Sequence, residues 1–459
     1  GTLAMTIVGS AVYSSNALVY DTDLEDKTVT EPESWGALPN EAQLQYHDDE
    51  LAAFIHFGVN TFTGNEWGDG TESPSVFNPT GDFGESAKSM VEALKNAGFK
   101  KVIVTAKHHD GFCIWPSEYT EHDIENSPYK DGKGDILAEI SAACTEYDMD
   151  MGLYLSPWDE NAESYGYYDK DGNPLLDENG NPIDGMTMEE VKEKDALDYN
   201  DYYVNQITEI VTNPKYGNNG KFTEWWMDGA KGEGGDAQEY DTERILKTIK
   251  DNEPGILIFG GGTDGGIHWI GNEKGQASDT TWAKVDSVKG DGYSEADGFT
   301  YGIPDGDHWS VPESDVSITA GWFYHDGDLP KSMSQLGNIY FQTVGNGSPL
   351  LLNFPPNQTG DLDGSIYSRL NEFKNAIDNT FKTNLLAQNS KAGASSVYEN
   401  AKDYSPVKAI DGDEDTYWTT AKGEKTGTLE IEFDEVKEFD VVAIEEYSEK
   451  GQRISEFNV

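Results

Sequence analysis

Asp228 closes the run KFTEWWMDGAKG (221–232), an aromatic-rich apolar stretch that ends in one carboxylate followed by glycine. Such a run reads as a buried strand delivering a single acid to a site. A second acid, Glu273, lies in IHWIGNEKG (267–275), in a glycine-bounded loop behind Trp269 and Ile270. Two carboxyls in unlike surroundings suit paired nucleophilic and acid–base work, because an apolar setting raises the pKa of one until it carries a proton while the other stays ionised. Retaining glycoside hydrolysis uses such a pair, held roughly 5–5.5 Å apart. A chain with 85 acidic residues also offers many solvated loop acids, and Glu273 reads equally well as one of them.

The histidines and aromatics extend this reading. Of eight histidines, His56, His108 and His109 fall at the ends of expected strands, and His268, His308 and His325 fall in later loops near Trp269, Trp309 and Trp322. Aromatic faces beside polar donors are what a sugar ring requires, since its C–H faces stack and its hydroxyls hydrogen-bond. A catalytic metal is the rival explanation. The run FIHFGV offers His56 alone, without the paired histidines that barrel metallohydrolases present, and His108 and His109, being adjacent, would point to opposite faces of an extended strand.

Several segments repeat the arrangement around Asp228: LAAFIHFGVNTF (51–62), KVIVTAKHHDGF (101–112), MGLYLSPWD (151–159), ILIFGGG (256–262) and SPLLLNFPP (348–356). Near-continuous apolar strands are typical of a parallel sheet covered on both faces. Helical patterns lie between them at 84–99, 135–149 and 237–251. Strand and helix alternate, which predicts a (β/α)8-like barrel over roughly the first 345 residues, with its site at the carboxyl ends of the strands.

Composition sets outer limits. The 459 residues suffice for a large core and a second domain. A formal charge of −53 argues against nucleic acid, which needs a basic surface, and suits a secreted or cell-surface protein. No apolar stretch approaches the roughly 20 residues of a membrane span. Cys113 and Cys144 both fall inside apparent core segments, so no disulfide framework is expected. The repeated D/N-G-N-P pattern in 169–185 reads as tight turns at a hairpin tip, because its spacing lacks the closing Glu of an EF-hand.

The motifs HFGVNTFTGNEWGDG (56–70), KHHDGFCIWPSEYTEHDI (107–124), YLSPWD (154–159), WWMDGA (225–230), WIGNE (269–273) and GWFYH (321–325) resemble the α-L-fucosidases of glycoside hydrolase family 29. More narrowly, they look like the branch that cleaves α-1,3- and α-1,4-linked fucose from branched, Lewis-type oligosaccharides. The resemblance runs in order from about residue 35 to 360. It implies Asp228 as nucleophile and Glu273 as acid/base of a double displacement that needs no metal or organic cofactor. It also implies that His56, Glu66, Trp67, His108, His109, Tyr154 and Trp226 line the fucose pocket. Trp322 falls where the family contacts the sugar beyond the cleavage point. His268 departs from relatives that often carry Arg there, which bears on the Glu273 loop or on contacts to the leaving sugar. The implied partners are fucosylated oligosaccharides or glycoconjugates. A catalytically inactive carbohydrate-binding barrel and a retaining glycosidase of different sugar specificity are the alternatives.

After a helical pattern at 366–381 the character changes. The expected organisation is an N-terminal extension (1–34), the catalytic barrel with a closing helix (35–383) and an antiparallel β-sandwich (384–459), with strands at 427–436 and 438–447. The segment VKAIDGDEDTYWTT (407–420) resembles the signature of discoidin-like sandwiches, which usually need more residues than remain before Val459. In related modules that loop wraps a structural Ca²⁺, which would make Asp411 and Thr416 candidate ligands.

Overall fold

A computed structural model describes residues 17–387 and 389–459. Pro39–Lys374 form one compact unit, and the described residues up to Leu38 form a second together with Asn375–Val459.

In the larger unit eight parallel strands follow one another around a barrel: Leu51–Ile55, Lys101–Lys107, Asp150–Leu155, Glu224–Trp226, Leu257–Phe259, Ile267–Trp269, Val311–Ser317 and Leu350–Asn353. The eighth pairs back onto the first, with Asn353 beside Phe54, and a parallel bridge between Ile258 and Gly266 joins the fifth to the sixth. The first four strands are each followed by a helix: Phe83–Asn96, Ile136–Glu146, Tyr199–Val211 and Thr242–Asn252. The helix Phe83–Asn96 shows why these segments fold as they do. Asp82 caps it by accepting from the Gly84 amide at 3.0 Å, and Phe83, Ala87, Met90, Val91 and Leu94 make one buried stripe at helical spacing. Each of Phe83, Met90, Val91 and Leu94 contributes about 1.5–3 kcal/mol by its burial.

Regularity breaks after the fifth strand. Only a short 3-10 turn, Gly262–Gly265, leads to the sixth, and two antiparallel ribbons (284–285 with 308–309, 293–294 with 299–300) separate the sixth from the seventh. The seventh strand, VPESDVS, is wholly buried although it carries four polar side chains. Its Ser314 hydroxyl meets that of Ser348 at 2.6 Å, and its acids are bonded inside the barrel.

Two layers fill the barrel interior below its carboxyl rim. Phe54, Ile103, Tyr154, Trp226, Leu257, Phe259, Ile267, Val311 and Leu351 form the apolar core. Against it lies a sealed polar cluster in which Lys101 Nζ pairs with Glu224 at 3.0 Å and sits 3.6 Å above the Tyr46 ring. Glu313 accepts from the Tyr46 hydroxyl and, at 2.7 Å, from Trp226 Nε1. Burial first, and the neighbouring Glu224 next, hold the Glu313 carboxyl well above the usual carboxylate range.

In the smaller unit Val19–Tyr20, Lys391–Ala394 and Leu429–Glu432 make a three-stranded antiparallel sheet over Leu24, Ala394, Val397, Ala401 and Tyr404. The stretch that the sequence presents as an extension thus lends a strand to this sheet, while residues 1–16 lie outside the described residues. The strand expected at 427–436 forms over Leu429–Glu432, whereas 438–447 joins no ladder among the described residues and leaves Phe439, Val442 and Ile444 about half exposed. The repeat at 169–185 does make two tight turns, closed by the Asp169 and Asp177 amides donating to the Asn173 and Asn181 carbonyls. Cys113 and Cys144 are buried free thiols.

Candidate active site

Side-chain alternation along each strand decides what enters the barrel mouth. Trp226 faces the core, so Asp228, two residues on and just past its strand, faces the same way at the rim. There Asp228 is held by two donors: the Tyr154 hydroxyl to Oδ2 at 3.0 Å and the Ala230 amide to Oδ1 at 2.8 Å. Below it the aromatic floor is continuous. The Tyr154 ring stacks on Trp226 at 5.5 Å, and Trp226 on Phe259 at 3.8 Å.

Three histidines surround this acid, and all are neutral. Burial lowers the pKa of His56 to about 3 and that of His109 to about 4, against the pull of Asp228 in the latter, and drives that of His108 well below its ordinary value. His56 Nδ1 lies 2.7 Å from Asn353 Oδ1. The Ser156 hydroxyl donates to the Trp158 carbonyl at 2.6 Å, so it must accept from His109 Nδ1, also at 2.7 Å. That fixes the tautomer and leaves His109 Nε2 as an acceptor 3.6 Å from Asp228 Oδ2. The His108 and His109 rings lie only 4.2 Å apart, which corrects the expectation that they diverge. The strand ends at Lys107 and a turn closes from the Gly111 amide to the His108 carbonyl, so strand alternation no longer applies to the pair.

Glu273 reaches the mouth on an anchored loop. The Ile270 amide continues the ladder to the Glu313 carbonyl at 3.3 Å, and the Ile270 carbonyl accepts from the Thr300 amide at 2.7 Å. Gly271, at φ 97°, lies so near the Gly298 carbonyl that a Cβ would sit 3.0 Å from its oxygen, so glycine is required. Trp322 Nε1 donates to Glu273 Oε2 at 3.4 Å. Although Glu273 as a residue is exposed, loss of solvation at its carboxyl raises the pKa, with the charges of Asp228 and Glu66 adding and the Trp322 bond opposing. Glu66 accepts from the Trp322 amide at 3.0 Å, and burial raises its pKa too. Gly321 lets Glu66 approach, since a Cβ there would meet Oε1 at 2.2 Å. Among the described residues no lysine or arginine pairs with Asp228, Glu273 or Glu66, and no group of three or more His, Cys, Asp or Glu is arranged to hold a metal.

The match to known proteins agrees with this geometry. The family model for alpha-L-fucosidases matches residues 21–378. The chain belongs to the alpha-L-fucosidase family. A Ruminococcus gnavus GH29 fucosidase, solved in complex with fucose, is 46% identical and superposes with a TM-score of 0.86 over 95% of this chain and 86% of its own. Alpha-L-fucosidase 1 of Arabidopsis thaliana is 36% identical over 92% of this chain and 76% of its own length. A glycoside hydrolase 29 family member from an unknown rumen bacterium is 34% identical, with a TM-score of 0.65 over 80% of this chain and 63% of its own.

In this fucosidase His56, His108, His109, Tyr154, Trp226, Asp228, Glu66, Glu273 and Trp322 gather at one mouth. Trp226 lies beneath the others, its Nε1 directed down to Glu313. Trp67 stands at the rim, 42% exposed, with its ring edge-on to His109 and Trp158. Trp322 packs beside His56 with ring centroids 5.2 Å apart. His268 does not enter, because it alternates with the inward Ile267 and Trp269 and bonds Ser310 on the outer face. The sequence gives no weight to Asp315 or Asn353. Asn353 holds His56 and also donates to the Trp322 carbonyl at 2.8 Å. Period-two spacing of Glu313 and Asp315 was the signal available for the former.

Proposed function

We propose that the chain is an exo-acting, retaining α-L-fucosidase that removes α-1,3- and α-1,4-linked fucose from branched, Lewis-type oligosaccharides. The carrying observation is the contrast between the two carboxyls: Asp228 fixed by two donors, and Glu273 in surroundings that raise its proton affinity. Asp228 attacks C1 of the α-fucoside as Glu273 passes its proton to the departing oxygen. A β-linked fucosyl–enzyme ester results. Glu273, now a carboxylate, takes a proton from water, which attacks C1 and releases Asp228 with net retention. This chemistry asks for no cofactor. Neutral His56, His108 and His109, with Glu66 and Trp67, supply donors and acceptors for the fucose hydroxyls, and Tyr154 and Trp226 supply apolar surface. Trp322 supports the linkage preference from a position between the pocket and Glu273. Incubation with a Lewis-type trisaccharide and with 2'-fucosyllactose tests the reading. Fucose released mainly from the trisaccharide is expected, and equal release would reassign the chain to a broader specificity.

The acidic composition supports action outside the cell or at its surface, with fucosylated glycoconjugates as partners. For the smaller unit we propose a discoidin-like sandwich with Ca²⁺ at the 410–418 loop. Asp411 there accepts from the Thr416 hydroxyl at 2.7 Å and from the Asp413 amide at 2.9 Å, which turns hard oxygen ligands toward one another. A chelator that left both metal content and melting unchanged would remove this assignment.

A further inference from the structure

The buried seventh strand brings a fourth carboxyl to the mouth, beside those of Asp228, Glu273 and Glu66. Val311 and Glu313 face the barrel interior, and alternation places Asp315 on the same side, one layer nearer the rim. Asp315 is 3% exposed, and its Oδ1 accepts from Trp269 Nε1 at 2.7 Å. Trp269 ends the sixth strand four residues before Glu273, so this bond ties the base of the acid/base loop to the neighbouring strand. The groups facing Asp315 are all acidic or uncharged. Glu273 and Asp228 face it across the mouth, the eighth strand contributes Asn353 without a titratable group, and His268 on the sixth strand lies on the outer face.

We propose that Asp315 is a positioning residue for proton transfer at Glu273, fixing the acid/base loop through Trp269 and doing so as the neutral carboxylic acid. The proposal rests on Glu273 being the acid/base. As the acid, Asp315 accepts from Trp269 with its carbonyl oxygen and keeps an O–H to donate into the site, while adding no further negative charge beside Asp228 and Glu273. Burial first, then the charge of Glu273, push its pKa up to about 8, so it carries its proton at neutral pH. Asparagine reproduces the acid form: one acceptor for Trp269, one donor into the site and no ionisation.

The test compares Asp315→Asn and Asp315→Ala on an aryl fucoside with an activated leaving group and on a fucosylated oligosaccharide, in the native and Glu273→Gln backgrounds. Asp315→Ala should lower kcat/KM on the oligosaccharide by about 100-fold, the scale of a roughly 1 Å misplacement, and on the aryl fucoside only slightly. Asp315→Asn should stay near native activity at neutral pH and alter the alkaline limb of the profile. In the Glu273→Gln background Asp315→Ala should add nothing, since the two act through one proton. Equal losses on both substrates, additivity with Glu273→Gln, or an Asn variant as impaired as Ala with an unchanged pH profile would each overturn the proposal. If Glu273→Gln itself impaired both substrates equally, the acid/base reading would fall, whereas a leaving-group-selective Glu273→Gln beside an unselective Asp315→Ala would sink the Asp315 role alone.

Discussion

Two levels of one barrel bury carboxyls in opposite ways. At the lower level Glu224 has Lys101, and Glu313 has the Tyr46 hydroxyl and the Trp226 indole; both acids are fully buried. At the rim Asp228, Glu273, Glu66 and Asp315 share a mouth without a lysine or arginine paired to them among the described residues, and the buried His56, His108 and His109 are neutral. A buried acid sealed against fixed partners is committed to the fold. At the rim Glu273, Glu66 and Asp315 have raised proton affinities at the edge of an open site, which is the condition for acid–base chemistry. The fourth and seventh strands supply both levels, and on the seventh a step of two residues, from Glu313 to Asp315, separates structure from function.

If that division is right, substitutions at the two levels should fail differently. The largest effect is expected at Asp228→Asn, which should lower kcat by about 10⁴-fold or more while leaving the melting temperature near native. Near-native turnover in that variant would dissolve the comparison. Next, Lys101→Met should leave Glu224 unpaired and cost about 3–5 kcal/mol of stability, seen in denaturant unfolding, with kcat of the folded fraction little changed. A stable Lys101→Met protein with lost activity would mean that the lower level serves catalysis directly.

Smaller effects sharpen the boundary. Trp322→Ala removes the contact to His56 and the bond to Glu273, and about 0.5–1.5 kcal/mol from the aromatic contact corresponds to at most roughly tenfold in kcat/KM on aryl fucosides. The loss on branched trisaccharides should be greater, because remote binding helps orient the scissile bond. Finally, Glu313 has a folded pKa above its unfolded value, so its contribution to stability is full below that unfolded value and fades as pH rises. Glu313→Gln cannot titrate. Melting temperatures measured from about pH 5 to pH 8 should therefore shift in favour of the variant relative to the native chain, at no more than about 1.4 kcal/mol per pH unit. A constant gap would contradict the protonated state.

Legibility followed local chemistry. Phe54, Val102 and Trp226 sit in apolar runs whose only buried solution is a covered sheet, so six of the eight barrel strands are readable from the residues alone. Ile267–Trp269 is too short to show a period, and VPESDVS looks like a loop because its polar groups are satisfied only by partners distant in sequence, such as Ser348 and Trp226. Asp315 was hidden for that reason. His108 and His109 were readable as site residues but not as a pair, because the turn that brings them together lies beyond the strand whose alternation was assumed. The strand from the N-terminal stretch was equally invisible, since Val19–Tyr20 gains its role only from pairing with Gly393 and Ala394.

The central claim, that Asp228 and Glu273 divide nucleophilic and acid–base duty, is tested most directly by trapping the ester. Incubation with 2-fluoro-fucosyl fluoride, in the native chain and in Glu273→Gln, followed by peptide mass mapping, should place one 2-fluoro-fucosyl group on the peptide containing Asp228 as fluoride leaves C1, with none in Asp228→Ala. Turnover without any adduct, or an adduct on another residue, would contradict the account.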